Sequence, residues 1–201
     1  MKVKFMKRFG AYFIDIILLM LVVSIISPII PKSGDTNALA KETTTIVEGF
    51  MNKQISQEEF VKKTNDISYD LSRATYLDSI VSITIYLLYF VVMPIFTKGQ
   101  TLGKKLMKIK IVNNDSSEVG TNGLLIRSLI LYGILSSIIT LILLLVTNKS
   151  TYLNIAGNVT TIFGLINLVS FVMILVRKDG KGIHDLLGNT KVISIEEGDV
   201  A

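Results

Sequence analysis

A chain of 201 residues, half of them hydrophobic, with a net charge of +5 and a mean hydropathy of +0.55, carries its apolar residues in long blocks, unlike a soluble domain. Its lysines lie beside those blocks and form no basic stripe interleaved with aromatics, which excludes a nucleic-acid binder. With no cysteine, disulfides, thiolate metal sites and a thiol nucleophile are excluded as well.

The blocks predict one all-α membrane domain over 1–201 with four transmembrane helices, about 9–30, 78–96, 124–146 and 155–176, each near the ~20 residues that cross a bilayer. The first follows Lys2, Lys4, Lys7 and Arg8, ends at Pro28 and Pro31, and carries Asp15. Its core is too long for a signal-peptide h-region, so it reads as an uncleaved anchor. Residues 32–77 form a polar insert with mixed charge, predicted as a helical hairpin of about 38–54 and 57–77. Ser56-Gln57-Glu58-Glu59 has the form of a capping box at the start of its second helix, which can run on into the second span.

A basic segment, 98–123, follows the second span; a short loop, 147–154, separates the third from the fourth; a basic tail closes the chain. Basic residues cluster at the amino end, in 98–127 and in the tail, which predicts that both termini are cytoplasmic and that 32–77 is an extracellular insert. The stretch from Gly99 to Val112 aligns weakly with Gly180 to Ile193: the glycines coincide, Leu106 meets Leu187 and Lys110 meets Lys191. This suggests a parallel two-plus-two repeat. Each copy reads as a short interfacial helix and then a short strand, and the two strands are candidates to pair below the membrane.

Several residues are candidates for chemistry. Asp15 is an intramembrane carboxylate, a functional candidate by default, with a structural ion pair as the alternative. Arg8 and Arg127 are its candidate partners, and both also read as snorkelling, positive-inside residues. Ser128, Tyr132, Ser136 and Thr140 share one ridge of the third span. In the fourth, Asn158, Thr161 and Asn167 are polar, and Ala156, Thr160 and Gly164 make a small-residue ridge. Close helix packing is the first explanation for these, a water-lined route the second. Gly99, Thr101, Gly103 and Lys104 fail the spacing of a phosphate loop and read as a turn and N-cap on an interfacial helix, with an anion nest as the alternative. His184 is the only histidine, too few for zinc. Beside Asp185 it caps the tail helix or relays protons. No metal site, cofactor or catalytic constellation is expected, and hence no enzyme.

Taken in order, these pieces resemble the RDD family of small bacterial membrane proteins, named for an arginine and two aspartates. Arg8 and Ile14-Asp15 match its entry motif. Gly99, Thr101, Gly103 and Lys104 match its cytoplasmic Gly-x-Thr-x-Gly-Lys motif, Asp115 and Arg127 its turn and third-span entry, and His184 to Leu187 its closing His-Asp-Leu-Leu segment. The second family aspartate is then Asp185, and 32–77 an insert. The resemblance implies a multi-pass protein of the bacterial cell membrane. Transport of unidentified ligands is proposed for the family, and sodium/proton antiport is associated with some members. Asp15 and the resemblance together point to a transporter or cation/proton exchanger with an inward-facing site around Arg8, Asp15, Arg127 and Asp185, the outer half of the membrane being left nearly bare. The alternative is a non-transporting adaptor that binds a partner or extracellular ligand through 32–77 and anionic lipid headgroups through its basic cytoplasmic face. A homodimer would supply further polar groups to a transport path.

Overall fold

The computed structural model describes residues 3–195. Helix α1 (Phe5–Ile26) continues as a 3-10 turn over Ser27–Ile29. It begins ahead of the expected residue 9, so Arg8 lies within the helix and not at its mouth. Asp35 caps α2 (Thr36–Met51), accepting from the amides of Asn37 (3.1 Å) and Ala38 (3.0 Å). Ser56 caps α3 (Gln57–Ala74), its hydroxyl accepting from the Glu59 amide at 3.1 Å. The two form the expected hairpin, with Phe50 stacked on Phe60 at 4.4 Å. Thr75 is the single break before α4 (Tyr76–Leu87), which runs through a π turn, Leu88–Val92, into α5 (Met93–Phe96).

Among the described residues, three helical segments are long and apolar enough to cross a membrane: Phe5–Ile29, Tyr76–Phe96 and Lys149–Val176. Only 17%, 17% and 11% of their most apolar stretches are buried in protein, so their hydrophobicity is not explained by an internal core. A lipid solvent accounts for it.

The expected third span is not one straight helix. It is two, α7 (Thr121–Leu131) and α8 (Ile134–Val146), bent by 69°. Gly133 stands at the bend with φ +68°, a left-handed conformation that glycine adopts without a Cβ clash. The hydroxyls of Ser136 (2.8 Å) and Ser137 (3.0 Å) donate to its carbonyl oxygen and secure the restart. The fourth apolar helix, α9 (Lys149–Val176), also begins ahead of the expected 155. Asn148 makes it do so, accepting from the Thr151 amide at 2.9 Å.

The opposite end of the bundle from the hairpin is closed by two short helix–strand units. They are α6 (Leu102–Leu106) with β1 (Ile109–Asn113), and α10 (Ile183–Leu187) with β2 (Thr190–Ser194). The strands pair antiparallel, Ile109 opposite Ser194 and Ile111 opposite Val192. One sequence offset superposes both helices and both strands. It also superposes the positive-φ residues Gly99 (+87°) on Gly180 (+65°) and Lys108 (+53°) on Asn189 (+51°). Ile111 thus pairs with its own repeat counterpart, as an approximate two-fold axis through the sheet requires. Ile109, Ile111 and Val192 pack with Val3, Ala11, Val91 and Leu124, so the sheet seals the bundle with a small apolar core.

The small-residue ridge of α9 does not pack as expected. Ala156 is buried, but Thr160 and Gly164 are exposed, and a Cβ on Gly164 would meet nothing within 4 Å. At Gly99, by contrast, a Cβ would collide with the Ile111 backbone, whose amide donates to the Gly99 carbonyl at 2.9 Å. Gly99→Ala should therefore lose more than about 1 kcal/mol of stability. Gly164→Ala should be neutral or gain up to about 1 kcal/mol. Thermal unfolding of the detergent-solubilised proteins checks both.

Candidate functional site: a buried charge centre

At the sheet end of the bundle two carboxylates are fully buried, Asp15 on α1 and Asp185 on α10. Each meets donors from distant parts of the chain. Asp15 Oδ1 accepts from Tyr89 Oη at 2.6 Å and from the Gly103 amide at 2.7 Å. Asp15 Oδ2 accepts from Thr101 Oγ1 at 2.5 Å and lies 3.7 Å from Lys104 Nζ. The Gly-x-Thr-x-Gly-Lys stretch is therefore a receptor for this carboxylate. Thr101 is the N-cap of α6 and turns its hydroxyl to Asp15. Gly103 has to lack a side chain, since a Cβ there would sit 2.7 Å from Asp15 Oδ1. The Tyr89 hydroxyl, raised by the π turn, donates to Asp15 and accepts from the Leu102 amide at 3.2 Å.

Asp185 is clamped by two guanidinium groups. Its Oδ2 accepts from Arg8 Nη2 at 2.6 Å, and its Oδ1 pairs with Arg127 Nη1. Oδ2 also accepts from the Gly182 amide at 3.0 Å, closing the first turn of α10. Arg8 Nη1 donates to the Gly180 carbonyl. The His184 ring lies against this clamp, Nδ1 2.7 Å from Ser170 Oγ on α9 and Nε2 3.4 Å from Asp185 Oδ2. Burial, and then the positive charge of Arg127, Arg8 and Lys104, hold the His184 imidazole well below its ordinary pKa, so the ring is neutral. It serves as a hydrogen-bonded wedge and not as a charged partner.

Lys104 belongs to the Asp15 half and shares a cavity wall with Arg8 and Arg127 of the other. It is 5% exposed, and its ammonium donates to Thr101 Oγ1 (3.1 Å) and Tyr132 Oη (3.2 Å). Burial lowers its pKa from 10.5 to about 8; Arg127 and Arg8 lower it too, and Asp15 opposes them. With His184 neutral, three basic side chains face two carboxylates here, and among the described residues one positive charge is left over. A cavity of about 180 Å³ lies among these groups, lined on its polar side by Arg8, Lys104, Arg127, Asn167 and His184.

The structure brings together Arg8, Asp15, Thr101, Gly103, Lys104, Arg127, His184 and Asp185. Gly99 holds the turn before α6 and does not touch a carboxylate. Asp115 is exposed and bonded to Ser117, away from the centre. The third-span ridge is split by the bend. Ser128 donates to the Phe90 carbonyl in the π turn (3.1 Å) and Tyr132 reaches Lys104, both at the sheet end. Ser136 bonds back to Gly133, and Thr140 to Ser136 (3.0 Å), at the hairpin end. Asn158 is exposed and bonds back to the Asn154 carbonyl (2.7 Å), whereas Asn167 lines the cavity.

The hairpin end is not bare either. Asp78 of α4 pairs with Lys32 and accepts from Ser27 Oγ at 2.6 Å. Beside it a second cavity, about 380 Å³, is lined by Ser79, Ser82, Tyr86, Ser137 and Thr140. Tyr89, Ser170 and this serine-lined cavity escape sequence reading. Their one signal is a hydroxyl recurring inside an apolar block.

Fold and site define a small helical membrane protein with a buried charge centre at one end. The model of the RDD family matches residues 2–189, and the chain belongs to the RDD family. It is 30% identical over 123 residues to the Bacillus subtilis (strain 168) protein described as "Uncharacterized protein YckC", covering 61% of this chain and 65% of that relative. The chain thus aligns with just under two-thirds of that relative's length. No solved structure matches it.

Removing one partner of a buried ion pair strands the other charge. Asp185→Asn should therefore cost about 3–5 kcal/mol, while Asp115→Asn leaves the thermal midpoint unchanged. Lys104 holds its proton less tightly folded than unfolded, so its charge opposes folding below about pH 8 and ceases to do so as pH rises toward 10.5. Over that window the midpoint of the wild type should rise relative to that of Lys104→Met. A constant difference across the window would refute the assignment.

Proposed function

We propose that the protein is a four-span carrier of the bacterial cell membrane. In this reading both termini are cytoplasmic, the sheet end faces inward, the α2–α3 hairpin lies outside, and the protein moves a solute without converting it. The supporting observation is the pair of cavities at opposite ends of the bundle, each with polar side chains in its wall, which approach one another at a layer of irregular backbone. The hairpin-end cavity reaches Tyr86 and Ile134, and the sheet-end cavity reaches Leu131 and Tyr132. Between them stand the Leu131–Ile134 bend and the π turn, where the Phe90 and Tyr132 rings stack within 9° of parallel. Broken helices at membrane depth belong where they line a cavity, and π turns recur at functional sites.

The donor set turns the expected solute from a cation to an anion. Donors already occupy both carboxylates, and the cation's place beside Asp15 is held by Lys104. Among the described residues no group of three or more His, Cys, Asp or Glu is placed to hold a metal ion. The surplus positive charge favours an anion, and Lys104, with its pKa near 8, is the proton-coupling group.

A second reading, the non-transporting adaptor, draws on the hairpin tip, where Met51 is 75% exposed beside Phe50 and Val47. Deletion separates the two readings. The Ser33 amide donates to the Ala74 carbonyl at 2.8 Å, so a short Gly-Ser link can replace 35–73. In proteoliposomes bearing a pH gradient, the wild type should dissipate the gradient in the presence of permeant test anions such as chloride or phosphate. Lys104→Met and Asp15→Asn should slow this by at least about tenfold, and the hairpin-deleted protein should keep it. An absence of proton, anion and cation flux from folded protein would overturn the carrier reading.

A further inference from the structure

The sheet-end cavity has two kinds of wall. Its floor is charged and hydrogen-bonding, with Lys104, Arg127 and Asn167. Its mouth is aromatic, with Phe5, Phe9 and Phe171. Phe171 of α9 meets Phe5 edge-on at 4.8 Å and Phe9 at 6.2 Å, both on α1. Phe9 and Phe171 are 40% and 39% exposed, and Phe13, one turn further along α1, is 54% exposed. The mouth therefore opens sideways between α1 and α9, on the flank that a bilayer covers.

The floor keeps unspent hydrogen-bonding capacity. Arg127 is 3% exposed and gives Nη1 to Asp185, but its buried Nε has no partner. The buried Asn167 Oδ1 has none either. One is a cationic donor and the other an acceptor. A buried polar group left unpaired costs about 1–3 kcal/mol, more when it is charged. A phosphate oxygen satisfies Arg127 Nε and offsets the surplus positive charge, and a hydroxyl satisfies Asn167 Oδ1. A volume of about 180 Å³ equals that of roughly six water molecules. It has room for a phosphate and a small polyol, but not for acyl chains.

We propose that this cavity binds an anionic glycerophospholipid with a hydroxyl-bearing headgroup. The lipid enters between α1 and α9, its phosphate rests against Arg127 and Lys104, and its acyl chains stay in the bilayer along the exposed phenylalanines. This site is distinct from a contact with the basic surface, because its ligating groups are buried inside the bundle. It is the cavity that the carrier reading uses at the sheet end, so lipid and carried anion would compete for it, but the two are read separately: a lipid can bind with no flux, and flux can persist with the cavity free of lipid.

The test is native mass spectrometry of the delipidated full-length protein with phosphatidylglycerol or phosphatidylcholine, paired with thermal unfolding in each lipid and in inorganic phosphate. Phosphatidylglycerol should be retained at least about tenfold better than phosphatidylcholine and should raise the thermal midpoint, while inorganic phosphate should not. Arg127→Lys, which keeps a charge but removes Nε, should lower that preference. Asn167→Leu stands outside the Asp185 clamp, should fold normally, and should lower retention of phosphatidylglycerol while sparing phosphatidylcholine. Equal retention of the two lipids, or retention untouched by Asn167→Leu in folded protein, overturns the proposal. A midpoint raised as far by inorganic phosphate as by the lipid also overturns it, in favour of a soluble anion.

Discussion

Arg8 and Arg127 enter the apolar bundle from two different helices, and Asp185 binds both. The rest of the structure depends on that clamp. A buried guanidinium is tolerable only when paired and hydrogen-bonded, because the desolvation of a lone charge exceeds the stability of most folds. Asp185 supplies the compensation from the far end of the sequence, and α10 holds it in register through the Gly182 amide. Asp15 repeats the arrangement one layer further in, with hydroxyls, an amide and an ammonium in place of the two guanidinium groups. The short segments beyond the apolar helices thus carry the polar groups that make the helices' charges admissible.

This design explains the internal repeat. Each half of the chain contributes apolar helices followed by a short helix and a strand, and the strands of the two halves pair about an approximate two-fold axis. The chemistry of the copies has diverged. In the first, the segment before the strand offers donors to a carboxylate; in the second, it offers a carboxylate to donors. The two interactions border one cavity, whose wall holds Lys104 and Tyr132 beside Arg8 and Arg127.

Much of this was legible in the sequence, for identifiable reasons. Apolar blocks report on lipid contact regardless of tertiary structure, so the helices could be placed, and the spacing of glycines and lysines disclosed the repeat and the strand pairing. The Ser56 cap and the grouping of Arg8, Asp15, Arg127 and Asp185 at one end also came through, but not the pairing: Asp15 was the expected partner of the arginines, and both bind Asp185. Contacts between distant residues did not. Thr101 is the cap that the sequence suggested, but nothing local says that its hydroxyl and the Gly103 amide also face Asp15. The bend at Gly133 was hidden because one glycine in an apolar run is common and the cost of a break depends on what packs beside it. Asp78 and Lys32 were visible as charges at a span boundary, but their pairing beside a cavity lined by Ser79 and Ser82 depends on how α4 and α8 lie together.

The two-stranded sheet has a consequence for how the protein is made. One strand follows α6 and the other follows α10, so the seal cannot close until the second strand has been made. Until α10 emerges, Arg8 and Arg127 are already in the membrane without their carboxylate, and β1 has no partner. Helix α1 is held through Asp15 by the α6 segment, and through Arg8 by α10. A chain that lacks α10 is left with two guanidinium groups uncompensated in its apolar bundle.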